Sequence, residues 1–328
     1  MSLPLADRFG RRVAYLRLSI TDACDFSCGY CLPNGYRKCS GSESFLSPLE
    51  IELLVRAFAD LGLWKVRLTG GEPMVRRDIL EIARRISGVP GIRRLAISTN
   101  GHRLKPLARD LRAAGVDAIN VSVDSLNRQR FAAITGRDRF DDVMAGIEES
   151  LAVGFPSIKL NAVLLRGENE IEFDDYLEFV RYRPVSVRFI ELMPTAGNPG
   201  YFEKFHVRST VLSEKLLANG WSWVERGEAD GPAMEFAHAD YQGRIGLIAP
   251  YSRDFCSRCN RLRVSSHGAL QLCLFGGKQY PLRRYLADDA RTVELRQTIQ
   301  SLLGKKDVSH HLLGDAPGSM RTFSAIGG

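Results

Sequence analysis

The chain has 328 residues and a mass of 36.6 kDa, which favours one large α/β domain or a domain with an added module. Its 45% hydrophobic and 25% charged residues exclude global disorder, and no apolar run reaches the ~18 residues of a membrane helix. A net charge of +7 favours an anionic partner without distinguishing a phosphorylated small molecule from nucleic acid or a membrane surface. No signal-peptide pattern precedes Asp7 and Arg8, so we expect a cytoplasmic, reducing environment.

Residues 13–193 alternate short β-rich runs with amphipathic helical stretches, which predicts parallel strands joined by helical crossovers. The clearest helix start is Ser47-Pro48-Leu49-Glu50, with an N-cap hydroxyl, a first-turn proline and a capping glutamate. Strands are predicted at 13–20, 65–69, 94–98, 118–123, 158–164 and 185–192, and further helices at 78–86, 104–114, 142–153 and 170–181. Six such units predict a partial (β/α)6 barrel of the TIM type, with a doubly wound sheet as the alternative.

The pattern changes after Pro194, where we predict an α+β module with short segments at 244–249, 262–265 and 269–274 and a helix at 292–303. We place the domain boundary near Gly231, so that residues 1–230 form the barrel and residues 231–328 form the C-terminal module. The chain ends in Gly327-Gly328, which by composition alone is typical of a frayed terminus.

Cys24, Cys28 and Cys31 form a CxxxCxxC motif directly after the first predicted strand. Three thiolates bind three irons of a cubane cluster and leave its fourth iron without a protein ligand. A structural zinc site is the alternative, but it prefers four closed ligands, and Cys39 lies eight residues further on. Disulfides do not suit a reducing compartment. We interpret Cys39 as a spare thiol.

A second triad consists of Cys256 and Cys259, in a CxxC motif, and Cys273. His267 would complete a zinc site with three cysteines, so zinc remains an alternative for this triad taken alone. The two triads together favour two iron–sulfur clusters.

The CxxxCxxC motif with Tyr30 before its last cysteine resembles the radical S-adenosylmethionine (SAM) superfamily. Two further motifs of that superfamily lie at strand ends: Thr69-Gly70-Gly71-Glu72-Pro73, and Ser122 within residues 121–125. The resemblance implies that the amino and carboxylate groups of SAM bind the open iron, and that one electron cleaves SAM to a 5′-deoxyadenosyl radical. It also implies SAM contacts from Tyr30, Gly71, Glu72, Ser122 and Met193.

Within this superfamily, the block Cys256 to Arg263 with Cys273 and the diglycine end is similar to the GTP 3′,8-cyclase family of molybdenum cofactor biosynthesis. The resemblance implies two [4Fe–4S] clusters, with guanine at the open iron of the second, hydrogen abstraction from ribose C3′ and attack on guanine C8. It implies GTP contacts from Arg17, Arg67, Ser98, Lys159, Arg261, Leu262 and Arg263. Of these, Arg17, Arg261 and Arg263 are expected to be catalytic, together with Gly327 and Gly328 threaded into the active site.

Arginines suit a triphosphate because their planar forks bind phosphate oxygens bidentately. The alternative is that Arg17, Arg67 and Lys159 are salt-bridge partners inside the barrel. The resemblance further implies a flavodoxin-type electron donor, a downstream cyclic pyranopterin monophosphate synthase and a homodimer, and we expect no membrane or nucleic-acid partner. Two other functions stay open at this point: a peptide-modifying radical SAM enzyme with an auxiliary cluster, and a zinc-dependent RNA-binding protein.

Overall fold

A computed structural model describes residues 5–37, 44–195, 197–227, 230–310 and 312. Cys39, Gly327 and Gly328 lie outside these residues. Within the described ranges, no helix combines the length and the apolar composition needed to cross a bilayer.

The six strands predicted for the barrel all form, and each ends within two residues of its predicted bounds. The strands, in chain order, are β1 (Tyr15–Ser19), β2 (Lys65–Thr69), β3 (Arg94–Thr99), β4 (Ala118–Ser122), β5 (Ser157–Leu164), β6 (Ser186–Glu191), β7 (Ser222–Val224), β8 (Met234–Ala237), β9 (Arg244–Ile248), β10 (Arg261–Val264), β11 (Ala269–Gln271) and β12 (Tyr280–Pro281). The helices are α1 (Pro48–Asp60), α2 (Ile79–Ser87), α3 (Leu104–Ala113), α4 (Arg128–Thr135), α5 (Phe140–Val153), α6 (Phe173–Arg181), α7 (Pro199–Phe205), α8 (Thr210–Ala218) and α9 (Thr292–Leu303).

The start of α1 confirms the predicted capping box. The Ser47 hydroxyl accepts a hydrogen bond from the Glu50 amide at 3.2 Å, and the Glu50 carboxylate accepts one from the Ser47 amide at 2.8 Å. The helix buries Ile51, Leu54 and Phe58 against the sheet, at about 1.5–3 kcal/mol for each such side chain. The apolar residues whose spacing predicts the helix are therefore also the residues that pack it into the hydrophobic core.

The sequence analysis did not predict α4, α7 and α8. The α4 sequence Arg-Gln-Arg-Phe-Ala-Ala-Ile-Thr is only eight residues long and has a weak apolar stripe. Its ends nevertheless carry signals, because the Asn127 side chain accepts a hydrogen bond from the Arg130 amide at 3.1 Å and Gly136 adopts a left-handed φ of 67°.

The described strands form one sheet in the order β12-β11-β10-β1-β2-β3-β4-β5-β6-β9-β8-β7. Strands β1 to β6 are parallel neighbours in chain order, which confirms the partial barrel and excludes a doubly wound order. No pairing among the described residues joins β12 to β7, so the barrel stays open.

Two strands from the C-terminal region extend this barrel rather than lying apart from it. β10 pairs in parallel with β1, and β9 pairs in parallel with β6, so each lies beside an outer strand of the predicted barrel. β11 and β12, and on the other side β8 and β7, continue the sheet antiparallel. The carboxyl ends of the parallel strands therefore meet at one mouth, while the domain boundary near Gly231 stays a prediction.

Candidate active site between two cysteine triads

The turn after β2 is bound directly to the first cysteine loop. The Gly71 amide donates to the Thr21 carbonyl at 2.8 Å, and the Glu72 amide donates to the Ala23 carbonyl at 2.7 Å. A Cβ atom on Gly71 would collide with the carbonyl of Ala23. Only glycine permits this approach, so the motif positions the loop that carries Cys24.

The first triad lines the barrel cavity: Cys24, Cys28 and Cys31 are all on its wall, and all three are free thiols. Burial raises the pKa of Cys24 to about 12. Burial is also the main cause of the raised pKa of Cys28. The charge of Asp124 is the next cause, and the other two cysteines of the triad act in the same direction. These thiols therefore need a bound metal to become thiolates, since a coordinating thiol loses its proton.

The second triad lines the same cavity through Cys256, Cys259 and Cys273. Burial raises the pKa of Cys256, with Cys273 and Cys259 contributing in the same direction. The pKa of Cys259 falls to about 6, because the charge of Arg261, followed by that of Lys306, more than offsets its burial. The second triad thus differs from the first in having a cysteine whose pKa is lowered by neighbouring cations.

The donor set of each triad fits an iron–sulfur cluster, which takes one thiolate per iron. Among the described residues, no three Cys, His, Asp or Glu side chains converge on one point as the ligands of a single ion do. His267, the candidate fourth zinc ligand, does not line this cavity: its Nε2 lies 3.4 Å from the Asp22 carboxylate, and the centre of its ring lies 5.3 Å from that of Phe45.

A row of buried arginines lines the same cavity as the two triads. In the sheet register, Arg17 on β1 pairs with Arg263 on β10 and with Arg67 on β2. Arg261 lies two residues before Arg263 and points to the same face of β10, because side chains alternate along a strand. All four arginines line the cavity.

Burial is the main cause of the lowered pKa of Arg17, and the charges of Arg263, Arg67 and Arg261 add to it. Burial also lowers the pKa of Arg67 and of Arg263. The Nε atoms of Arg67 and Arg263 are buried and have no hydrogen-bond partner in the described part of the protein. A buried donor without a partner is costly, so this row fits an anionic ligand with several oxygens.

The remaining predicted residues divide between the cavity wall and positions behind it. Tyr30, Gly71, Ser98, Ser122 and Met193 line the cavity. Glu72 does not; its carboxylate accepts hydrogen bonds from Thr99, Asn100 and Met74 at 2.6–2.9 Å, and burial raises its pKa to about 7.

Two predicted GTP contacts also lie outside the wall. The Leu262 side chain is fully buried in the hydrophobic core, on the face of β10 opposite Arg261 and Arg263. Lys159 lies on the same face of β5 as the cavity residue Asn161; burial, and next the charge of Arg188, lower its pKa to about 7. Their roles, and those of Gly327 and Gly328, stay predictions.

Sequence reasoning missed three cations. Arg188 on β6 lines the cavity and is ion-paired with Glu235. It could have been found from the sequence in the same way as Arg17, because it is a charged residue inside a buried strand. Arg11 and Lys306 contact the second cysteine segment from far along the chain, and no local pattern marks them.

Residues 18–180 match the family model of the Radical SAM superfamily, and residues 185–312 match that of Molybdenum Cofactor Synthesis C. The chain is 47% identical to a GTP 3′,8-cyclase of Synechococcus elongatus and 50% identical to one of Stenotrophomonas maltophilia, each over 99% of both chains. The fold resembles that of Streptococcus suis SuiB bound to S-adenosylmethionine, with a TM-score of 0.64, 15% identity and coverage of 95% of this chain and 77% of SuiB. The chain therefore belongs to the GTP 3′,8-cyclase family of radical SAM enzymes.

Proposed function

We propose that this protein converts GTP to (8S)-3′,8-cyclo-7,8-dihydroguanosine 5′-triphosphate, the first step of molybdenum cofactor biosynthesis. The observation that carries the proposal is the row Arg263, Arg17 and Arg67, buried in the same cavity that both cysteine triads line. This cavity holds the cations for a triphosphate and the thiols for two clusters in one place.

The arginine row binds the triphosphate. Burial and mutual repulsion disfavour the charged arginines in the free protein, and phosphate oxygens relieve both by pairing with the guanidinium groups. Arg261 and Arg263 lie two and four residues after Cys259, so a nucleotide held by this row lies close to the second triad, where the resemblance implies that its base binds. Lys159, Ser98 and the Leu262 backbone complete the predicted GTP contacts.

Cys24, Cys28 and Cys31 hold one [4Fe–4S] cluster, and Cys256, Cys259 and Cys273 hold the other. The first cluster with SAM supplies a 5′-deoxyadenosyl radical when both are bound. Tyr30, Gly71, Ser122 and Met193 line the SAM side of the cavity, and Glu72 holds the turn beneath it.

The chain orients the SAM side through Tyr30. Its hydroxyl donates to Asp124 at 2.8 Å, and its carbonyl accepts a hydrogen bond from the Asn198 side chain at 3.1 Å. Both bonds fix the cysteine loop against the strand ends, which limits movement of the reacting groups. Gly327 and Gly328, which lie outside the described residues, keep the catalytic role that the resemblance implies for them.

The partners follow from the same proposal. We infer a flavodoxin-type electron donor, a homodimeric assembly, a cytoplasmic location and a downstream cyclic pyranopterin monophosphate synthase that takes up the product. The free cysteines suit a reducing compartment.

The test is anaerobic incubation with a reductant, SAM and GTP carrying deuterium only at ribose C3′. We expect 5′-deoxyadenosine containing one deuterium and a cyclised nucleotide. GTP deuterated only at C2′ is the matched substrate control and should transfer none. Deoxyadenosine that forms without deuterium from the C3′ substrate would contradict the proposal. The peptide-modifying and zinc-dependent RNA-binding alternatives predict no cyclised nucleotide.

A further inference from the structure

Two buried cations that belong to no motif contact the second cysteine segment. Arg11 precedes β1, and Lys306 follows α9. Lys306 is only 2% exposed and Arg11 only 9%. Because lysine is rarely buried without a partner, the surroundings of Lys306 require an explanation.

Lys306 joins the two parts of the chain that carry the cysteines. Its ammonium donates to the carbonyl of Arg261 at 3.3 Å and to the carbonyl of Leu272. Arg261 lies two residues after Cys259, and Leu272 immediately precedes Cys273. One ammonium group therefore links the backbone segments beside two of the three ligands.

Lys306 has no carboxylate counter-charge, since none of the ion pairs among the described residues includes it. Its buried ammonium lies against the carbonyls of Arg261 and Leu272, which adjoin Cys259 and Cys273 along the chain. A cluster held by these cysteines would bring negatively charged sulfurs close to a buried cation that is otherwise unbalanced.

Arg11 provides the contrast. Its Nε is ion-paired with Asp7 at 2.6 Å, so its charge is already balanced. Its other nitrogens donate to the carbonyls of Cys256, Asp307 and Val308 at 2.6–3.0 Å. Arg11 therefore positions the first cysteine of the triad and the segment that carries Lys306, while the unbalanced charge is that of Lys306.

We propose that Lys306 is the built-in counter-cation of the second cluster and that it raises the reduction potential of the cluster that Cys259 and Cys273 help to hold. The inference rests on the proposed function, because it requires a cluster at the second triad. Net charge and hydrogen bonding around the sulfurs are among the factors that set such potentials. Lys306 acts through the cysteines and is a positioning residue.

The test measures the second cluster alone, in the full chain with Cys24, Cys28 and Cys31 replaced by serine. Lys306→Gln keeps a hydrogen-bond donor and removes the charge, and Lys306→Arg keeps the charge. Lys305→Gln is the matched control, because Lys305 is the exposed neighbour. The readouts are iron and acid-labile sulfide per chain and the midpoint potential from an EPR-monitored redox titration.

We expect Lys306→Gln to lower the reduced-to-oxidised ratio at fixed potential at least tenfold, a shift of about 59 mV for one electron. Lys306→Arg and Lys305→Gln should stay near the parent value. An unchanged potential in Lys306→Gln, or an equal fall in Lys306→Arg, would overturn the inference.

If Lys306→Gln fails to hold a cluster, the result for Lys306→Arg decides whether the charge of residue 306 matters. A full cluster at the parent potential in Lys306→Arg supports a role for the charge. Loss of iron in both variants refutes that role, since only the shape of lysine would then matter. A parent chain whose second triad holds no iron and no sulfide would instead contradict the proposed function itself.

Discussion

Replacing Lys159 by methionine should stabilise the free protein while weakening GTP binding. Burial, followed by repulsion from Arg188, depresses the pKa of Lys159 from 10.5 to about 7, although Glu235 acts in the opposite direction. That difference corresponds to about 5 kcal/mol at 1.36 kcal/mol per pH unit. Because part of the side chain remains in contact with solvent, we expect the stability gain to be about 2–5 kcal/mol.

The sign of the pH dependence follows from proton binding. Between pH 7 and 10.5 the unfolded chain holds the Lys159 proton more tightly than the folded chain, so stability of the parent protein rises with pH through this window. Below pH 7 both states are protonated and the full cost of burying the charge is present. The advantage of Lys159→Met should therefore be largest at pH 6.5 and should shrink towards pH 10.

The assay is thermal unfolding of the cluster-free chain, followed by circular dichroism between pH 6.5 and 9.5. At ~2.1 cal/mol/K per residue, the unfolding entropy of the 328-residue chain is about 0.7 kcal/mol/K, so the expected gain is about 3–7 °C at pH 6.5. Lys105→Met, at an exposed position, is the control and should shift the midpoint by less than about 1 °C.

GTP should narrow the difference in stability between the two proteins, because the triphosphate supplies the missing counter-charge to Lys159 in the parent. At a GTP concentration of about 100 times Kd the parent protein gains about 2.7 kcal/mol, and Lys159→Met gains less. The reasoning would be refuted by a Lys159→Met midpoint at or below that of the parent at pH 6.5, or by a difference that does not change with pH.

Three further outcomes are expected. Arg263→Met should lower the affinity for GTP at least tenfold in calorimetry while both clusters keep their iron, and a loss below twofold would argue against the arginine row as the phosphate site. Cys39→Ser should leave the iron content unchanged, whereas loss of one cubane would make Cys39 a ligand. Adding one residue after Gly328, or replacing Gly327, should lower turnover with both clusters assembled, and full activity of such a variant would exclude a role for the tail.

The regular parts of the barrel were predictable because their signals are local. Strands β1 to β6 are short apolar runs, and α1 has its cap, its proline and its apolar stripe within one segment. Helix α4 escaped prediction because it is short and its apolar face is narrow. A short helix or strand contains few residues of its hydrophobic pattern, so the pattern predicts it less well.

The first cysteine triad was predictable from spacing, because its three cysteines lie on one loop and are close in space whatever the rest of the chain does. In the second triad β10 and β11 separate Cys259 from Cys273, so the approach of Cys273 to the CxxC pair depends on the fold. Only part of the arginine row was predictable from the sequence. Arg17 and Arg67 stood out as charges inside strands, but nothing local indicates that Arg263 lies beside Arg17. That neighbourhood depends on hydrogen bonds between β1 and β10, which lie at opposite ends of the chain.

The amino-acid sequence by itself indicated the chemistry of this protein: which thiols are candidate cluster ligands, which turn approaches the first of them and which strands carry charge. The tertiary structure alone decided how the charges are arranged, because strand pairing and burial act between residues far apart in sequence. Lys306 illustrates the distinction. As a sequence letter it is indistinguishable from the exposed Lys305, and only folding places its ammonium group against the backbone beside Cys259 and Cys273.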